Sequence, residues 1–447
     1  MLFLIIMNGC GNSDGKSTAN PDSRWQSIVG DGNAELELRI SAALSGIDED
    51  SCFSQTTDVR NCSWDLYSAG HDFVDTTFLE EESVLIIDDL YPGVEILRNR
   101  NRILGYYDIL PTGVIDEHLM QWDLPKVFGD IITGFATTPY IASKSLQPVA
   151  NAVESTYGLY VPVFGSHGLV VYNILADLVP EQPIVLLDKN NLSFHRAMPE
   201  VFCSVVSDSE HDPGLVALRE YSRKIANEIQ KLINLHNIRY INASWGYTIK
   251  TIEQPWENHC STPLPAETIL LAILDAYQPV FEVLFNNQGV FCSHAAIHSP
   301  VDKYYPYDQK SSAYPNRLRV GHIASASLEI DEDGLAKLPS DIPIDPPIGD
   351  ADIYINSGCD ISGNCRTLGP LQITKIYGMD SVAFPITQSS FVNPVLLSQF
   401  IATRYSEEFR DYWLDNYAIN LISNSIHECE DGTTACIFID PLLHGVQ

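Results

Sequence analysis

The sequence has few positive charges. Its 447 residues include 26 lysines and arginines against 58 aspartates and glutamates, which gives a formal net charge of -32. A chain this acidic repels phosphate backbones, so nucleic acid is excluded as an expected partner. Charged residues make up only 19% of the chain and hydrophobic residues 45%. This balance argues against disorder and predicts a sizeable buried core.

The sequence also lacks an apolar run long enough to span a bilayer, and its ten cysteines contain no Cys-x-x-Cys pair. Three cysteine pairs lie close together in polar loops, namely Cys52 with Cys62, Cys359 with Cys365, and Cys429 with Cys436. Such spacing predicts disulfides of an oxidising compartment, with metal binding as the alternative. Cys203, Cys260 and Cys292 remain, and Cys292 lies in an apolar run, where we expect a buried free thiol.

The first ten residues form a short apolar run that lies where a signal peptide would. Gly9-Cys10 and the polar residues after it resemble a bacterial lipoprotein signal, in which the cysteine carries the lipid. The resemblance implies a signal at 1–10, lipidation of Cys10, and a flexible tether at 11–30. It also implies an exported protein on the bacterial cell envelope, which meets the membrane only through this anchor. Export without a lipid is the alternative.

Residues 31–78 are expected to form a small N-terminal extension with a helix over 34–45, and residues 79–447 the main domain. In that domain, short apolar runs predict strands over Val84–Ile87, Ile184–Leu187, Ile238–Asn242 and Val290–Ala296. Helical spacing predicts helices over Leu215–Asn237 and Thr268–Phe285. The alternation predicts an α/β fold, doubly wound, with a mostly parallel sheet and helices on both faces. Residues 326–350 are expected to form a surface insertion.

Three segments carry residues that could perform chemistry. Asp88 ends the apolar run that begins at Val84, where α/β folds place functional groups. His167 is followed by a glycine and an apolar helical run, which suits a general base. Ser381 precedes another apolar run, and a serine that opens a helix lies near N–H groups that favour an oxyanion. Each signal alone is weak, because such residues are more often turn residues, structural histidines or helix caps.

The order Asp, His, Ser along the chain is the order of the subtilisins, and the motifs agree. The sequence resembles the subtilisin-like serine peptidases in five segments: Val84 to Asp88, His167-Gly-x-x-Val171, Tyr240-Ile-Asn-Ala-Ser244-Trp-Gly246, Tyr314-Pro to Val320-Gly321, and Ser381-x-Ala383-x-Pro385. The resemblance covers the chain from about residue 83 onward. It implies a subtilisin-like fold and a serine endopeptidase that cleaves polypeptides.

The resemblance also implies the roles of the residues. Ser381 would be the nucleophile, His167 the general base, and Asp88 the residue that orients the imidazole, with Asp89 as the alternative acid. Ser244, Trp245 and Gly246 would line the substrate cleft. Neither a metal nor a cofactor is implied. The acidic stretch 331–333 could bind structural calcium, but a solvated loop is the favoured interpretation.

Two positions depart from the family pattern. His298 falls where the family has the asparagine of the oxyanion hole; a histidine N–H can also donate, and His294 is its nearest competitor. Asp380 precedes Ser381, and a carboxylate there would disfavour a nearby oxyanion. A catalytically inactive subtilase fold kept as a binding or scaffold protein is therefore the main alternative. A serine esterase on another α/β fold is disfavoured by the order of the triad.

Overall fold

The structure is a computed structural model, and eight stretches of it are described at length: 81–90, 102–118, 120–125, 166–179, 182–296, 314–323, 351–356 and 389–404. Shorter described pieces lie at 38, 41–42, 44–45, 63–68, 329–330, 336–337, 344–345, 372–375, 380–383 and 438–439. The pieces between 38 and 45 are helical, in agreement with the helix expected over 34–45.

The described strands are short and mostly apolar. They are β1 Ser63–Ser68, β2 Ser83–Asp88, β3 Ile103–Ile109, β4 Ile115–Glu117, β5 Met120–Pro125, β6 Ile184–Asp188, β7 Ile238–Ala243, β8 Phe291–Ala295, β9 Arg317–Ile323, β10 Glu329–Ile330, β11 Ala336–Lys337, β12 Ile344–Asp345, β13 Ile353–Asn356, β14 Gln372–Lys375, β15 Asp380–Ala383 and β16 Phe438–Ile439. Every residue of β2 and β6 is buried. Burial on both faces explains their unbroken apolar runs, which are typical of parallel strands.

The longer described helices are α1 His167–Leu178, α2 Pro213–Leu235, α3 Ile249–His259, α4 Glu267–Asp275, α5 Gln278–Phe285 and α6 Ser389–Arg404. A 3₁₀ turn, Asn190–Leu192, precedes two four-residue helices, Phe194–Ala197 and Pro199–Phe202. In the part of the chain that the structure describes, no single helix is long and apolar enough to cross a bilayer; α4 and α5 reach that length only together, across a 45° bend.

One ten-stranded sheet forms the centre of the domain, with the order β16-β13-β9-β8-β7-β2-β6-β3-β4 and β12 paired to β9. All neighbours from β16 to β3 are parallel, and β4 and β12 pair antiparallel. β1, from the predicted N-terminal extension, pairs outside this sheet with β5. β10 pairs with β11, and β14 pairs with β15, in two further two-stranded sheets.

Helices cover both faces of the sheet. Leu85, Ile87, Ile241 and Cys292 pack in one buried cluster with apolar residues of α2, α4 and α5. On the opposite face α6 packs on the strands, where the ring of Phe400 stacks on Phe291 at a centroid distance of 3.5 Å. The predicted doubly wound, mostly parallel α/β fold is therefore confirmed.

The sheet has a topological switch point between β2 and β7, which are parallel neighbours. The chain leaves β2 toward β3 on one side and leaves β7 toward β8 on the other side. In open α/β sheets a crevice forms at such a point, outside the carboxyl ends of the strands, and ligands bind there. Asp88 ends β2 and Ser244 follows β7, so both residues lie at this crevice.

Two element boundaries show how local chemistry sets the fold. The helix predicted over 215–237 is α2, whose start is capped by the Asp212 carboxylate, which accepts hydrogen bonds from the N–H groups of Gly214 and Leu215 at 2.9 and 3.1 Å. The single helix predicted over 268–285 was wrong, because the structure has two helices, α4 and α5. Pro279 lies in the first turn of α5, and a proline has no N–H with which to continue the preceding helix.

The described cysteines agree with the sequence in part. Cys292 is a buried free thiol, as predicted, and burial raises its pKa. Cys203 and Cys260, which the sequence left unassigned, form a disulfide across 57 residues. Cys10 and the three predicted cysteine pairs lie outside the described residues.

Candidate active site

Asp88 and His167 form a hydrogen-bonded pair at the switch point. The Nδ1 atom of His167 lies 3.0 and 3.1 Å from the two carboxylate oxygens of Asp88, although 79 residues separate the two in sequence. The side chain of Asp88 is fully buried, whereas that of His167 is 32% exposed. With Nδ1 bound to the carboxylate, Nε2 is the nitrogen that can exchange a proton with a nucleophile.

The pair is held by the start of α1 and the end of β2. His167 is the first residue of α1, and the N–H of Gly168 donates to the carbonyl oxygen of Asp89 at 3.0 Å. The Asp88 carbonyl accepts from the N–H of Lys189 at 2.9 Å. Asp89, the alternative acid, is 45% exposed and forms an ion pair with Lys189 at 2.9 Å. The structure therefore brings Asp88, and not Asp89, to the imidazole.

Gly168 explains why a glycine follows the histidine. A Cβ atom at this position would lie 2.7 Å from the Asp89 carbonyl oxygen and 2.8 Å from the Cβ of Asp88. Both distances are too short for van der Waals contact, and the first is to backbone, which cannot yield cheaply. Only glycine allows α1 to approach β2 closely enough for His167 to reach Asp88.

We expect Gly168→Ala to separate the Asp88–His167 pair. The substitution should destabilise the fold by about 1–3 kcal/mol through overpacking. It should also slow labelling by a fluorophosphonate probe about 10²-fold per folded molecule, because a displacement near 1 Å has that effect. Gly214→Ala is the control, since its Cβ would crowd the Val205 side chain at 2.8 Å and would meet neither Asp88 nor His167. Equal labelling of the two folded variants would contradict the explanation.

Asp188 ends β6, directly beside the end of β2. Its carboxylate accepts hydrogen bonds from the N–H groups of Leu90 at 3.0 Å and Asn190 at 2.7 Å, so it anchors the turn that follows Asp88. Burial, with smaller contributions from the carboxylates of Asp108 and Asp89, raises the pKa of Asp188 to about 6.

This pKa predicts a dependence of stability on pH. The folded-state pKa lies above the usual aspartate value of 3.8, so the folded protein holds the Asp188 proton more tightly than the unfolded chain does. The stabilisation of the folded state by protonated Asp188 is complete below about pH 4 and is lost as the pH rises through about 6. Relative to Asp188→Asn, the wild type should lose up to about 3 kcal/mol of unfolding free energy between about pH 4 and 7.5. Urea unfolding of both proteins measures this, and a difference that is constant with pH would rule the prediction out.

The segment from Ser244 to Gly246 follows β7 and lies at the same crevice. Ser244 is buried, and Trp245 is half-buried beside Lys189, whose Nζ lies 5.9 Å from the centre of the indole. His294 of β8 supports this segment, since its Nε2 lies 2.9 Å from the Trp245 carbonyl oxygen. Burial, with the charge of Arg317, lowers the pKa of His294 well below its usual value, so the ring is neutral. The Nε2 atom of His294 is thus occupied by a backbone carbonyl. His298, the predicted oxyanion-hole residue, lies outside the described residues.

Ser381 does not open a helix, which corrects the expectation from its sequence context. Asp380–Ala383 is β15, which pairs antiparallel with β14 and sets Ser381 opposite Thr374. The hairpin fits because Val382, a β-branched residue, pairs with Ile373 in the ladder. β14 contacts α1, so the hairpin lies near the helix that carries His167. The side chain of Ser381 itself is outside the described part of the chain.

The helix that packs on α1 begins instead at Ser389. Its second residue, Ser390, is half-buried, and its third, Phe391, packs on the imidazole of His167 with ring centroids 5.2 Å apart. The Oγ of Ser390 donates to the Ser244 carbonyl at 3.1 Å, and the Oγ of Ser244 donates to the Ser390 carbonyl at 2.8 Å. Ser390 is therefore bonded to the predicted substrate segment, and the residue next to it packs on the histidine.

Sequence reasoning missed Ser390, although a signal was present. Ser390 precedes Pro394 by four residues, the same spacing as Ser381 to Pro385. Val392 stands where the family motif has alanine, whereas the Ser381 segment has Ala383 at that position. The Asp331 to Asp333 stretch, considered for calcium, lies outside the described residues. Among the described residues no three histidine, cysteine or acidic side chains come together as a metal site.

Comparison with known proteins adds no relative. No protein-family model matches the chain, and no curated protein sequence matches it with significant similarity. What the chain does must therefore be argued from the site itself.

Proposed function

We propose that this chain is a subtilisin-like serine endopeptidase, which hydrolyses polypeptides through an acyl-enzyme. The observation that carries the proposal is the Asp88–His167 pair at the switch point, next to a helix whose third residue, Phe391, packs on the imidazole and whose second residue is Ser390. A buried carboxylate, a partly exposed histidine and a serine at a helix N-terminus are the three parts that activate a serine nucleophile. The doubly wound sheet and the chain order Asp, His, Ser support the same family.

The Asp88–His167 contact supports the following roles. Nε2 of His167 would take the proton of the serine hydroxyl as the oxygen attacks the scissile carbonyl, and would then give it to the leaving amine. Asp88 would hold Nδ1–H and stabilise the imidazolium that forms. N–H groups of the first helical turn would face the developing oxyanion. Water would then attack the acyl-enzyme, with His167 taking a proton from the water and returning it to the serine oxygen as the acyl group leaves.

Two serines are candidates for the nucleophile, and the contacts favour Ser390 over Ser381. Ser390 lies in the first turn of a helix that packs on α1, and the residue next to it touches the His167 ring. Its neighbours in sequence are Ser389 and Phe391, so no carboxylate adjoins it, whereas Asp380 adjoins Ser381. With Ser390 as the nucleophile, Asp380 no longer adjoins the reacting oxygen. One of the two departures that suggested an inactive fold is thereby removed.

The substrate would lie along the Ser244–Gly246 segment, where Trp245 would narrow the cleft. A polypeptide in extended form suits such an edge, because its backbone can add to a strand. The disulfide between Cys203 and Cys260 supports an oxidising compartment, in keeping with export. The lipid anchor at Cys10 and location on the bacterial cell envelope remain part of the proposal.

The proposal is tested by peptide hydrolysis. The purified chain, beginning after Cys10, is incubated with an unfolded protein substrate and with a simple acyl ester, beside His167→Ala. We expect both substrates to be cleaved, with loss of both activities in the variant. Cleavage of the ester alone would favour an esterase. A folded protein that cleaves neither would favour a binding or scaffold protein with an inactive site.

A further inference from the structure

A cluster of buried polar side chains lies beneath Ser390, between α6 and the ends of β7 and β8. Asn242, Ser293 and Asn393 are fully buried, and Ser244 is 2% exposed. Buried amides and hydroxyls cost free energy unless they are hydrogen-bonded, and apolar residues would pack here without that cost. A fully connected polar cluster fixes one arrangement of the elements that it joins.

Asn393 is the centre of this cluster. Its Nδ2 lies 3.1 Å from Oδ1 of Asn242, 3.2 Å from Oγ of Ser244 and 3.0 Å from the carbonyl oxygen of Ser293. Its Oδ1 accepts a hydrogen bond from the Ser293 hydroxyl. Asn393 therefore ties α6 to two neighbouring strands at once.

Pro394 completes the connection to Ser390. In a regular helix the N–H of residue 394 would donate to the carbonyl oxygen of residue 390, but proline has no N–H. The Ser390 carbonyl accepts the hydroxyl of Ser244 at 2.8 Å, and Ser244 in turn contacts Asn393 and accepts from Nδ2 of Asn242 at 3.0 Å. Ser390 and Asn393 are three residues apart and so lie on one face of the helix.

We infer that Asn393 is a positioning residue, which fixes the first turn of α6 so that Ser390 lies between His167 and the Ser244–Gly246 segment. The inference rests on the proposed function. Without Asn393, α6 still packs through its apolar residues, but its rotation and height on the strands are no longer fixed at Ser390. A misplacement near 1 Å is expected to slow acylation about 10²-fold, because the attack requires near-contact geometry.

The test compares Asn393→Ala with Ser398→Ala. Ser398 is also buried in α6, but its hydroxyl donates within the helix to the Val395 carbonyl at 2.7 Å. The rate of fluorophosphonate labelling, kcat and KM for a peptide ester, and the melting temperature are measured for each. We expect Asn393→Ala to lower the labelling rate and kcat about 10²-fold, with a much smaller change in KM. Ser398→Ala should retain both rates.

A second variant separates the effect on the position of Ser390 from the effect on the stability of the fold. Asn393→Leu combined with Asn242→Leu replaces both amides by apolar groups of similar size, which limits the loss of stability. We expect this double variant to fold and still to label slowly. Labelling of either folded Asn393 variant within threefold of wild type would overturn the inference while leaving the proposed function intact. A wild-type protein that does not label at all would overturn both.

Discussion

Ser390→Ala is expected to abolish labelling by a fluorophosphonate probe and to lower kcat for a peptide substrate by roughly 10⁴-fold or more. The hydroxyl of Ser390 donates to the Ser244 carbonyl, and the next residue, Phe391, packs on the His167 ring. Its removal leaves the helix start and the packing of Phe391 unchanged, so the protein should fold. The substitution would remove the bond-forming oxygen and its 3.1 Å hydrogen bond to the Ser244 carbonyl.

Ser381→Ala is the matched control for this prediction. Ser381 lies in a hairpin strand, and alanine there keeps the backbone pairing with Thr374. We expect its rate of labelling and its kcat to stay within about threefold of wild type, as for a substitution outside the reacting groups. The reverse pattern, with Ser381→Ala inactive and Ser390→Ala active, would return the nucleophile to the hairpin.

Asp88→Asn is the second large effect that we expect. A carboxylate accepts the Nδ1–H of His167, whereas an amide can present its own N–H to Nδ1 and thereby favour the wrong tautomer. Nε2 then carries the proton and cannot accept one from the serine. A loss of kcat of about 10⁴-fold with an intact fold is the expected result.

Asp89→Asn serves as the control, because Asp89 adjoins Asp88 but is 45% exposed and pairs with Lys189. Because the Asp89 side of this ion pair is open to solvent, the pair contributes about 1 kcal/mol or less, so stability should change little. For both variants, kcat/KM is measured as a function of pH, and the melting temperature reports stability. Equal losses in the two variants would mean that the local charge, and not the tautomer of His167, governs the activity.

The strands that carry the site could be predicted because they are buried on both faces. Val84 to Asp88 and Ile184 to Asp188 read as unbroken apolar runs that end in aspartate, and both are strands with those ends. The approach of His167 to Asp88 was predicted from the motif, and Gly168 gives its steric reason. Pairing across 79 residues could not have followed from spacing alone.

The sequence pointed to Ser381, because 381–385 carries the full Ser-x-Ala-x-Pro motif, whereas Ser390 shares only its spacing to proline. The two segments differ in secondary structure. Val382 pairs across a hairpin, whereas Val392, Val395 and Leu396 are buried residues of a helix. Short apolar runs fit a strand or a helix equally well until tertiary packing decides. The disulfide of Cys203 with Cys260 escaped prediction for a similar reason, since the two lie 57 residues apart and only the fold brings them together.

The most direct test of the proposed site is to identify the residue that a fluorophosphonate modifies. The folded wild-type chain is labelled, digested and sequenced by mass spectrometry, with His167→Ala treated in parallel. We predict a single modified peptide that carries the probe on Ser390, and no modification in the variant. A probe found on Ser381 would contradict the assignment of the nucleophile, and a folded wild-type protein without any modified serine would contradict the peptidase itself.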